Sequence, residues 1–362
     1  MSVQSGIEGP GHPSSGDSEL AASVPELSLQ EAAAIAERLF GIAGSAHLLT
    51  SERDRNFRLA GTDGVNYLLK VSNPSEPDSV VDLQTACLEH VGARDAAIPV
   101  PRVLRTLSGE TRGRAELADG RSSTIRMLTY LEGLPVKGTA HTPAQRRDMG
   151  LALAELDLAL DGFSHPAASH DLLWNVSRAD RLSHLAEDIV GNDRRSLVGH
   201  FMDRFVGVVL PRLGNVRRQV IHNDFNLYNV LVDAGDTDRV TGIIDFGDLL
   251  HAALVGEVAT ATAYQMKEAA EPMAAAAEFI GAYHEVLPLL PEEQDIVADL
   301  VATRQLVTVL ISEWRSRRYP ENRDYIMRHN PGAWEGLTLM ADLSREDARD
   351  QMLARVRNGD NR

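Results

Sequence analysis

The sequence predicts a two-lobed α+β fold in which a small β-rich lobe precedes a larger helical lobe. Three observations support this: short β-like apolar segments early in the chain, helical apolar periodicity later, and one β-rich island inside the helical part. We expect a disordered tail at 1–26, the N-terminal lobe at 27–132 and the C-terminal lobe at 133–362. The 362 residues, 43% of them hydrophobic, supply ample material for packed cores.

The N-terminal lobe begins with a predicted helix and continues as a predicted antiparallel sheet. Ser28 and Glu31 have capping-box spacing ahead of an Ala-rich stretch. The segments HLLT, NFRLAG and NYLLKV are typical of short strands separated by turns, and a helix is predicted over 79–91. Prolines make IPVPRVL extended, and a further hairpin is predicted to turn at Asp119-Gly120.

Helical patterns dominate the C-terminal lobe. Thr142 followed by Pro143 is typical of a helix start. Further helices are predicted near 194–213, 253–270, 272–287 and 292–317. The β-rich island is the stretch VIHNDFNLYNVLVDAGDTDRVTGIIDFGD, residues 220–248, with strands predicted at 230–232 and 240–244.

Composition excludes some partners and one kind of metal site. The formal net charge of -16 argues against a nucleic acid or an anionic membrane surface as a partner. The single cysteine, Cys87, leaves no internal disulfide and no cysteine-based zinc site. We find no N-terminal signal pattern and no apolar run near the ~18 residues of a membrane span, so we expect a soluble cytoplasmic protein. The sequence does not fix the oligomeric state.

Short polar residues in the β-rich island have the spacing of a phosphotransferase loop. His222, Asp224 and Asn229 form H-x-D-x-x-x-x-N, and Asp245 follows in IDFG. Phosphoryl transfer needs one carboxylate at the attacking hydroxyl, and an amide oxygen and a second carboxylate that hold Mg²⁺. Asn and Asp are also ordinary turn residues, but the second motif so close to the first favours the functional interpretation. The intervening strands would turn both metal ligands toward one cleft.

Such a loop requires a lysine from the other lobe. Lys70 lies at the end of the apolar run NYLLKV, on a predicted strand. A lysine that ends a strand is usually a solvated tip. With the downstream motif present, we predict instead that Lys70 contacts the α- and β-phosphates of a nucleotide.

Together these segments resemble the aminoglycoside phosphotransferase and choline kinase superfamily of small-molecule kinases, and within it the hydroxylysine kinases. The resemblance covers about residues 48–334. It rests on DRNFRL (54–59), LLKVSNP (68–74), DLQ (82–84), RMLTYLEGLPV (126–136), LLWN (172–175), HNDFNLYN, GIIDFGD, VGEVA (255–259) and YPENRDYIM (319–327). It implies a protein-kinase-like fold, Mg²⁺ as cofactor and ATP or GTP as phosphoryl donor.

The resemblance implies roles for the motif residues. Asp224 would orient the acceptor hydroxyl or accept its proton. His222 would brace the loop through hydrogen bonds. Asn229 and Asp245 would ligate Mg²⁺.

It also implies a set of nucleotide contacts. Lys70 would hold the phosphates, and Asn56 would lie in a loop over them. Thr129 to Leu131 would form the hinge that pairs with the purine edge. Gln84, with Asp82 as a possible substitute, stands where many members have the glutamate that pairs with the lysine.

The acceptor side is less sharply defined. Asp248 could face an ammonium or hydroxyl group of the acceptor, or cap the following helix. Trp174 and Asn175 could line the acceptor pocket, although a buried tryptophan anchoring two helices is the alternative. Glu313 could contribute to an acceptor wall at the end of the last predicted helix, whose apolar interior we assign to the core. Glu257 is read as a structural brace.

The implied reaction is transfer of the γ-phosphoryl group to a hydroxyl of a small amine-bearing acceptor such as 5-hydroxylysine. An aminoglycoside, homoserine or choline-type acceptor is the alternative, and a catalytically inactive kinase-like binding module is an alternative of another class. The sequence has no G-x-G-x-x-G and no A-P-E after IDFG, and Asn226 stands where protein kinases have lysine. These features argue against a protein substrate.

Overall fold

The computed structural model describes residues 24–359 except 52, 118 and 268. The predicted tail at 1–26 lies outside these residues except for its last three positions. The described residues fall into two compact units. The first unit contains the chain up to Asp78 and Arg105–Met127, and the second contains Ser79–Leu104 and the chain from Leu128 onward.

The described elements follow the predicted α+β pattern, with strands concentrated early in the chain and helices later. The strands are β1 (Gly44–Leu49), β2 (Arg55–Gly61), β3 (Asn66–Val71), β4 (Val103–Leu104), β5 (Gly113–Glu116), β6 (Ser122–Thr129), β7 (Leu134–Pro135), β8 (Arg218–Ile221), β9 (Val230–Val232), β10 (Val240–Ile243) and β11 (Leu250–Ala253). The helices are α1 (Leu29–Phe40), α2 (Asp78–Arg94), α3 (Pro143–Ala159), α4 (Asn192–Arg204), α5 (Leu254–Gln265), α6 (Pro272–Val286), α7 (Pro291–Arg318), α8 (Arg323–Ile326), α9 (Asn330–Ala341), α10 (Arg345–Met352) and α11 (Ala354–Gly359). The predicted fold class is confirmed.

Helix α1 begins with the predicted capping box. The Ser28 hydroxyl accepts a hydrogen bond from the Glu31 backbone N–H at 3.2 Å, and the Glu31 carboxylate accepts one from the Ser28 N–H at 2.8 Å. Gly41 ends the helix at φ +70°, a left-handed conformation that glycine adopts without steric cost. The reciprocal bonds satisfy N–H groups that the first turn would otherwise leave unpaired.

An antiparallel sheet forms the framework of the first unit. Strands β1, β2, β3 and β6 are neighbours in that order, and β5 also pairs with β6. The side chains of Phe57, Leu59 and Leu69 are fully buried, so they form the apolar face of this sheet. Asn56 on β2 lies opposite Lys70 on β3. The register therefore places both polar side chains at neighbouring positions at one end of the strand pair.

Packed helices form the core of the second unit. Helix α3 packs on α6, and both α5 and α9 pack on α7. Every residue of α5 is buried, including Glu257 at 0% exposure. A helix with no solvated face is characteristic of the centre of a domain. Any charged group on α5 or in the middle of α7 therefore needs a partner inside the protein or a ligand.

Strands of the β-rich island take part in a two-stranded sheet and in a three-stranded sheet. Strand β8 pairs with β11, and β9 pairs with both β10 and β7. The predicted strand at 230–232 is confirmed, and the next strand ends one residue earlier than predicted, at Ile243. The segment between β8 and β9 is the H-x-D-x-x-x-x-N loop, and Asp245 follows β10. Two strand ends thus present the polar residues.

Among the helices of the described residues, 24–359 without 52, 118 and 268, none is long and apolar enough to cross a bilayer.

Candidate active site

His222 fixes the start of the polar loop. Its Nε2 lies 3.0 Å from the Ile244 carbonyl oxygen, and its Nδ1 accepts a hydrogen bond from the Asp224 backbone N–H at 3.3 Å. The Phe246 ring packs edge-on against the imidazole, with centroids 4.8 Å apart. With Nε2 donating and Nδ1 accepting, both ring nitrogens are used within the protein. This is the geometry that a bracing role requires.

Asp224 is held by side chains from its own loop. Its Oδ2 accepts hydrogen bonds from the amides of Asn226 and Asn229, both at 2.8 Å. Its Oδ1 lies 3.7 Å from Nη2 of Arg304, and the side chain keeps 23% of its surface exposed. One carboxylate oxygen is therefore fixed, while the other faces an arginine.

Burial raises the pKa of the Asp224 carboxyl to about 7. Part of this rise comes from the negative charge of Asp248, and Asp245 makes a smaller contribution in the same direction. Arg304 and the bond from Asn226 act in the opposite direction, because both favour the ionised carboxylate. A carboxylate with a raised pKa is a better proton acceptor than an ordinary aspartate.

Asn229 and Asp245 have the donor chemistry of a magnesium site. The Asn229 amide nitrogen donates to the backbone oxygen and to Oδ2 of Asp224, at 3.0 and 2.8 Å, which directs its amide oxygen elsewhere. Asp245 is exposed and adopts the left-handed region at φ 62°, ψ 76°. A non-glycine residue there costs about 1–3 kcal/mol and is typical of functional sites. An amide oxygen and a carboxylate are ligands that Mg²⁺ accepts, so these residues fit the ion.

Two buried carboxylates, Glu257 and Asp157, act on each other, and Glu257 also bonds to the loop. The Glu257 Oε2 accepts a hydrogen bond at 2.6 Å from the backbone N–H of Asn223, which has φ 66°. The Asp157 Oδ2 on α3 accepts one from the Tyr283 hydroxyl at 2.8 Å. Burial raises the pKa of both carboxyls, and the charge of Glu257 adds to the rise at Asp157. The sequence indicated Glu257 as a brace, but it gave no sign of Asp157.

Arg304 is the functional candidate that the sequence analysis missed. It lies in the part of α7 assigned to the core and is buried, at 3% exposure. Its Nη2 donates to the Tyr264 hydroxyl at 2.9 Å and its Nη1 to the Trp174 carbonyl at 3.1 Å. An arginine inside the apolar run IVADLVATRQLVTVLI was the available signal, because a buried charge needs a partner.

Further basic side chains surround Arg304, and we call them together the basic cluster: Lys137, Lys267, Arg304, Arg328 and His329. The Lys267 Nζ lies 4.6 Å from the centroid of the Tyr264 ring, and the His329 ring lies 5.4 Å from it. Burial and the neighbouring cations lower the pKa of Lys267 to about 7 and that of His329 to about 2. The basic cluster is thus a crowded, positively charged region beside Asp224.

The predicted acceptor residues have different positions. Asp248 acts on the pKa of Asp224 and so lies near it. Its alternative role as a helix cap is wrong, because β11 intervenes and Ala253 occupies the cap of α5. Trp174 is half-buried on a turn, where Arg304 lies 5.1 Å above its ring. The Asn175 side chain caps the segment at 176–188.

Glu313 has structural contacts instead. Its Oε1 accepts hydrogen bonds from the Asn330 amide at 3.3 Å and the Trp334 indole at 3.4 Å. These bonds join α7 to α9. Nine residues separate Glu313 from Arg304, which is about 13 Å along a helix. The structure therefore does not bring Glu313 together with Asp224.

Lys70 in the first unit has a partner that the sequence analysis did not identify. It is buried, at 8% exposure, and its Nζ lies 3.6 Å from Oδ2 of Asp54. The other oxygen of Asp54 accepts from the Asn73 backbone N–H at 3.0 Å. Asn56 lies within β2 rather than in a loop, and its predicted position near the phosphates stays a prediction. Gln84 is buried on α2 in the second unit, and its orienting role stays a prediction.

The predicted hinge follows β6 in the second unit. The Thr129 N–H donates to the Arg102 carbonyl at 2.9 Å, and the Thr129 hydroxyl accepts from the Arg102 N–H at 2.8 Å. Leu131 lies in the irregular segment that comes next. Pairing of this hinge with the purine edge stays a prediction.

Comparisons with known proteins extend these observations. Residues 46–294 match the family described as "Phosphotransferase enzyme family". The chain is 28% identical to a hydroxylysine kinase of Mus musculus over 349 residues, which cover 90% of this chain and 92% of that protein. A hydroxylysine kinase of Bos taurus is also 28% identical, over 92% of this chain and 95% of that protein.

Solved structures share the fold. A microcompartment-associated aminopropanol kinase superposes with a TM-score of 0.71 at 16% identity, covering 90% of this chain and 100% of the other. An amicoumacin kinase in complex with AMP-PNP, Ca²⁺ and its ligand gives 0.62 at 11% identity, covering 83% and 92%. The GDP complex of an aminoglycoside 2'-phosphotransferase gives 0.57 at 15% identity, covering 82% and 93%.

Proposed function

The chain belongs to the phosphotransferase enzyme family and is a small-molecule kinase with an alcohol group as acceptor, and from this premise we propose its specific reaction. It transfers the γ-phosphoryl group of ATP or GTP to the hydroxyl of an amine-bearing metabolite of the 5-hydroxylysine type. The observation that carries the proposal is Asp224, whose carboxylate is fixed by two amides beside Asn229 and Asp245. The named relatives support the acceptor.

Asp224 acts on the acceptor hydroxyl. The hydroxyl oxygen attacks the γ-phosphorus, the bond from that phosphorus to the bridging oxygen breaks, and a nucleoside diphosphate leaves. Asp224 orients the hydroxyl and takes up its proton, which its raised pKa favours. His222 does not exchange a proton with substrate, because both of its ring nitrogens are used within the loop.

Different residues bind the nucleotide donor and the Mg²⁺ ion. Asn229 and Asp245 would hold Mg²⁺, which offsets negative charge on the donor phosphates when it is bound. Lys70 contacts the phosphates, and Asp54 restricts the movement of its ammonium group. Backbone atoms between Thr129 and Leu131 bind the purine. Of the solved structures with this fold, one contains the ATP analogue AMP-PNP and another contains GDP, so we propose either ATP or GTP as the donor.

We assign the acceptor amine to the side of Asp224 on which Asp248 lies. Asp248 lies close enough to raise the pKa of Asp224, and its carboxylate provides a counter-charge for an ammonium group. We expect the protein in the cytoplasm, together with its nucleotide donor. Buried Cys87, whose pKa burial raises, is a core residue there rather than a reactive thiol.

A phosphorylation screen tests the proposal. Hydroxylysine, homoserine, amino alcohols, choline and aminoglycosides are incubated with the protein, Mg²⁺ and either ATP or GTP, and phosphomonoester formation is followed by phosphorus NMR. We expect a Mg²⁺-dependent product with hydroxylysine. Turnover of an aminoglycoside or choline alone would contradict the acceptor, and binding of nucleotide without transfer to any acceptor would favour an inactive binding module.

A further inference from the structure

We infer that Lys267, Arg304 and Arg328 form an anion-binding subsite for the carboxylate of the acceptor. This inference rests on the proposed function and narrows its substrate class. The acceptor is then a hydroxy amino acid with a free carboxylate, and amino alcohols, choline-type alcohols and aminoglycosides are poor acceptors.

The subsite is organised around the Tyr264 ring. Arg304 contacts the Tyr264 hydroxyl at 2.9 Å, and Lys267 Nζ lies 4.6 Å from the ring centroid. His329 packs edge-on against the same ring, 5.4 Å away, and against Tyr228 at 5.9 Å. The Arg328 guanidinium lies 5.0 Å from the centre of the Tyr228 ring. Two aromatic rings thus hold several basic side chains in one region.

These basic groups have few acidic partners. Across the described residues, the side chains of Lys267 and Arg328 have cation–π contacts but form no ion pair or hydrogen bond. Arg304 has Asp224, at 3.7 Å, as its ion-pair partner. The buried Nε2 of His329 has no hydrogen-bond partner among those residues either. Burial, followed by the neighbouring positive charges of Arg304, Lys137 and Arg328, lowers the pKa of Lys267 to about 7.

This arrangement contrasts with the rest of an acidic chain. Several other arginines of the second unit are directly paired with carboxylates, as Arg146 is with Glu278 at 2.7 Å and Arg217 with Glu293 at 2.5 Å. With a net charge of -16, the chain does not lack carboxylates. Among the described residues no carboxylate pairs with the side chain of Lys267 or Arg328, so their donors are available for an external anion, which would form charge-assisted hydrogen bonds with them.

The position of the basic cluster favours the acceptor over the donor as the source of that anion. Asn229, a proposed metal ligand, bonds to Oδ2 of Asp224, whereas Arg304 faces Oδ1. A hydroxyl placed at Asp224 can therefore extend the rest of its molecule toward Arg304. Choline and aminoglycosides would bring positive charge to positive charge there, which selects against them.

Acceptor pairs that differ only in the carboxylate test this inference. Steady-state kinetics are measured with 5-hydroxylysine and with its carboxamide, for the wild type, Lys267→Met and Arg328→Gln. Arg181→Gln, which removes an exposed ion pair with Asp171, is the matched control. We expect the wild type to favour the carboxylate by about 10- to 100-fold in kcat/KM, the range for a hydrogen bond to a charged group.

The variants should lose that preference through KM, with unchanged values for the carboxamide and for the nucleotide. Equal use of both acceptors by the wild type would overturn the inference. A raised nucleotide KM in Lys267→Met would assign the subsite to donor phosphate instead. Arg181→Gln should match the wild type.

A binding measurement separates this inference from the proposed function. Lysine and lysinamide, which have no hydroxyl to phosphorylate, are titrated calorimetrically onto the nucleotide-free protein. Tighter binding of lysine that Lys267→Met abolishes would support the subsite even if no acceptor in the screen is turned over. Equal binding of both ligands would overturn it, whether or not phosphoryl transfer is found.

Discussion

The two sides of Asp224 differ in charge and in origin. On one side are Asn229, Asp245 and Asp248, which follow strand ends close to Asp224 in the sequence. On the other side is the basic cluster, which comes from separate parts of the chain. The first side suits a cation and an amine, and the second suits an anion. A single carboxylate between such opposite environments can position a zwitterionic acceptor from both ends.

Asp224→Asn should produce the largest effect. The amide keeps the shape and the contacts with Asn226, but it cannot accept the hydroxyl proton. We expect kcat to fall by about 10²- to 10⁴-fold, the usual contribution of a general base. Acceptor-dependent release of nucleoside diphosphate measures it. Asp171→Asn, an exposed aspartate in an ion pair, is the control. Unchanged turnover in Asp224→Asn would remove Asp224 from the chemistry.

Asp245→Asn tests the acidic side. The amide retains one oxygen ligand but loses the charge that attracts Mg²⁺. We expect the Mg²⁺ concentration that gives half-maximal activity to rise by at least ~10- to 100-fold, which is the cost of losing a residue that merely supports a metal ligand. Titration of activity with Mg²⁺ at saturating donor gives the value. The same Mg²⁺ dependence in variant and wild type would place the ion elsewhere.

Glu257→Ala tests whether the buried Glu257 carboxylate holds the loop that carries Asp224 in position. It leaves the Asn223 N–H unpaired in the core, which costs about 1–3 kcal/mol. We expect a lower midpoint in urea unfolding, together with a reduced kcat. The exposed Glu321→Ala serves as the control. Full stability in Glu257→Ala would show that the loop does not need this bond.

The pH dependence of acceptor preference tests the basic side. The pKa of Lys267 is lowered to about 7 by burial and by Arg304, Lys137 and Arg328, against the opposing effect of Asp224. Tyr264 and His329 also face it, but His329 stays neutral. Lys267 is therefore protonated below about pH 7 and loses its charge as the pH rises.

The ratio of kcat/KM for 5-hydroxylysine to that for its carboxamide should consequently fall above about pH 7, by up to about tenfold per pH unit. The ratio cancels effects of Asp224, which acts on both acceptors. Lys267→Arg should keep the ratio constant, because arginine does not lose its proton in this range. A fall that persists in Lys267→Arg would assign the titration to another group.

Local sequence patterns were sufficient to predict the part of the site that the H-x-D-x-x-x-x-N loop forms. The spacing of His222, Asp224 and Asn229 on a loop between short strands placed these residues correctly relative to one another. Strand and helix positions also followed from alternation and caps, as at α1. The errors arose at boundaries: the helix predicted at 253–270 ends at Gln265, and the one predicted at 194–213 continues beyond α4 as π-helical and 3-10 turns through Asn215.

The basic side could not be predicted in the same way. Arg304, Lys267 and Arg328 are separated by tens of residues, and a single sequence does not show which helix faces pack together. A helical pattern does not show whether an arginine among apolar residues is buried until the element that packs against it is known. Glu313 was selected for its polar neighbours, but its side chain joins α7 to α9.

Binding of 5-hydroxylysine to Asp224→Asn and to Lys267→Met, measured by calorimetry without nucleotide, tests the division between chemistry and recognition most directly. The account predicts that Asp224→Asn binds about as tightly as the wild type, because the anion-binding groups remain. Lys267→Met should bind more weakly. Loss of binding in Asp224→Asn with full affinity in Lys267→Met would contradict the account.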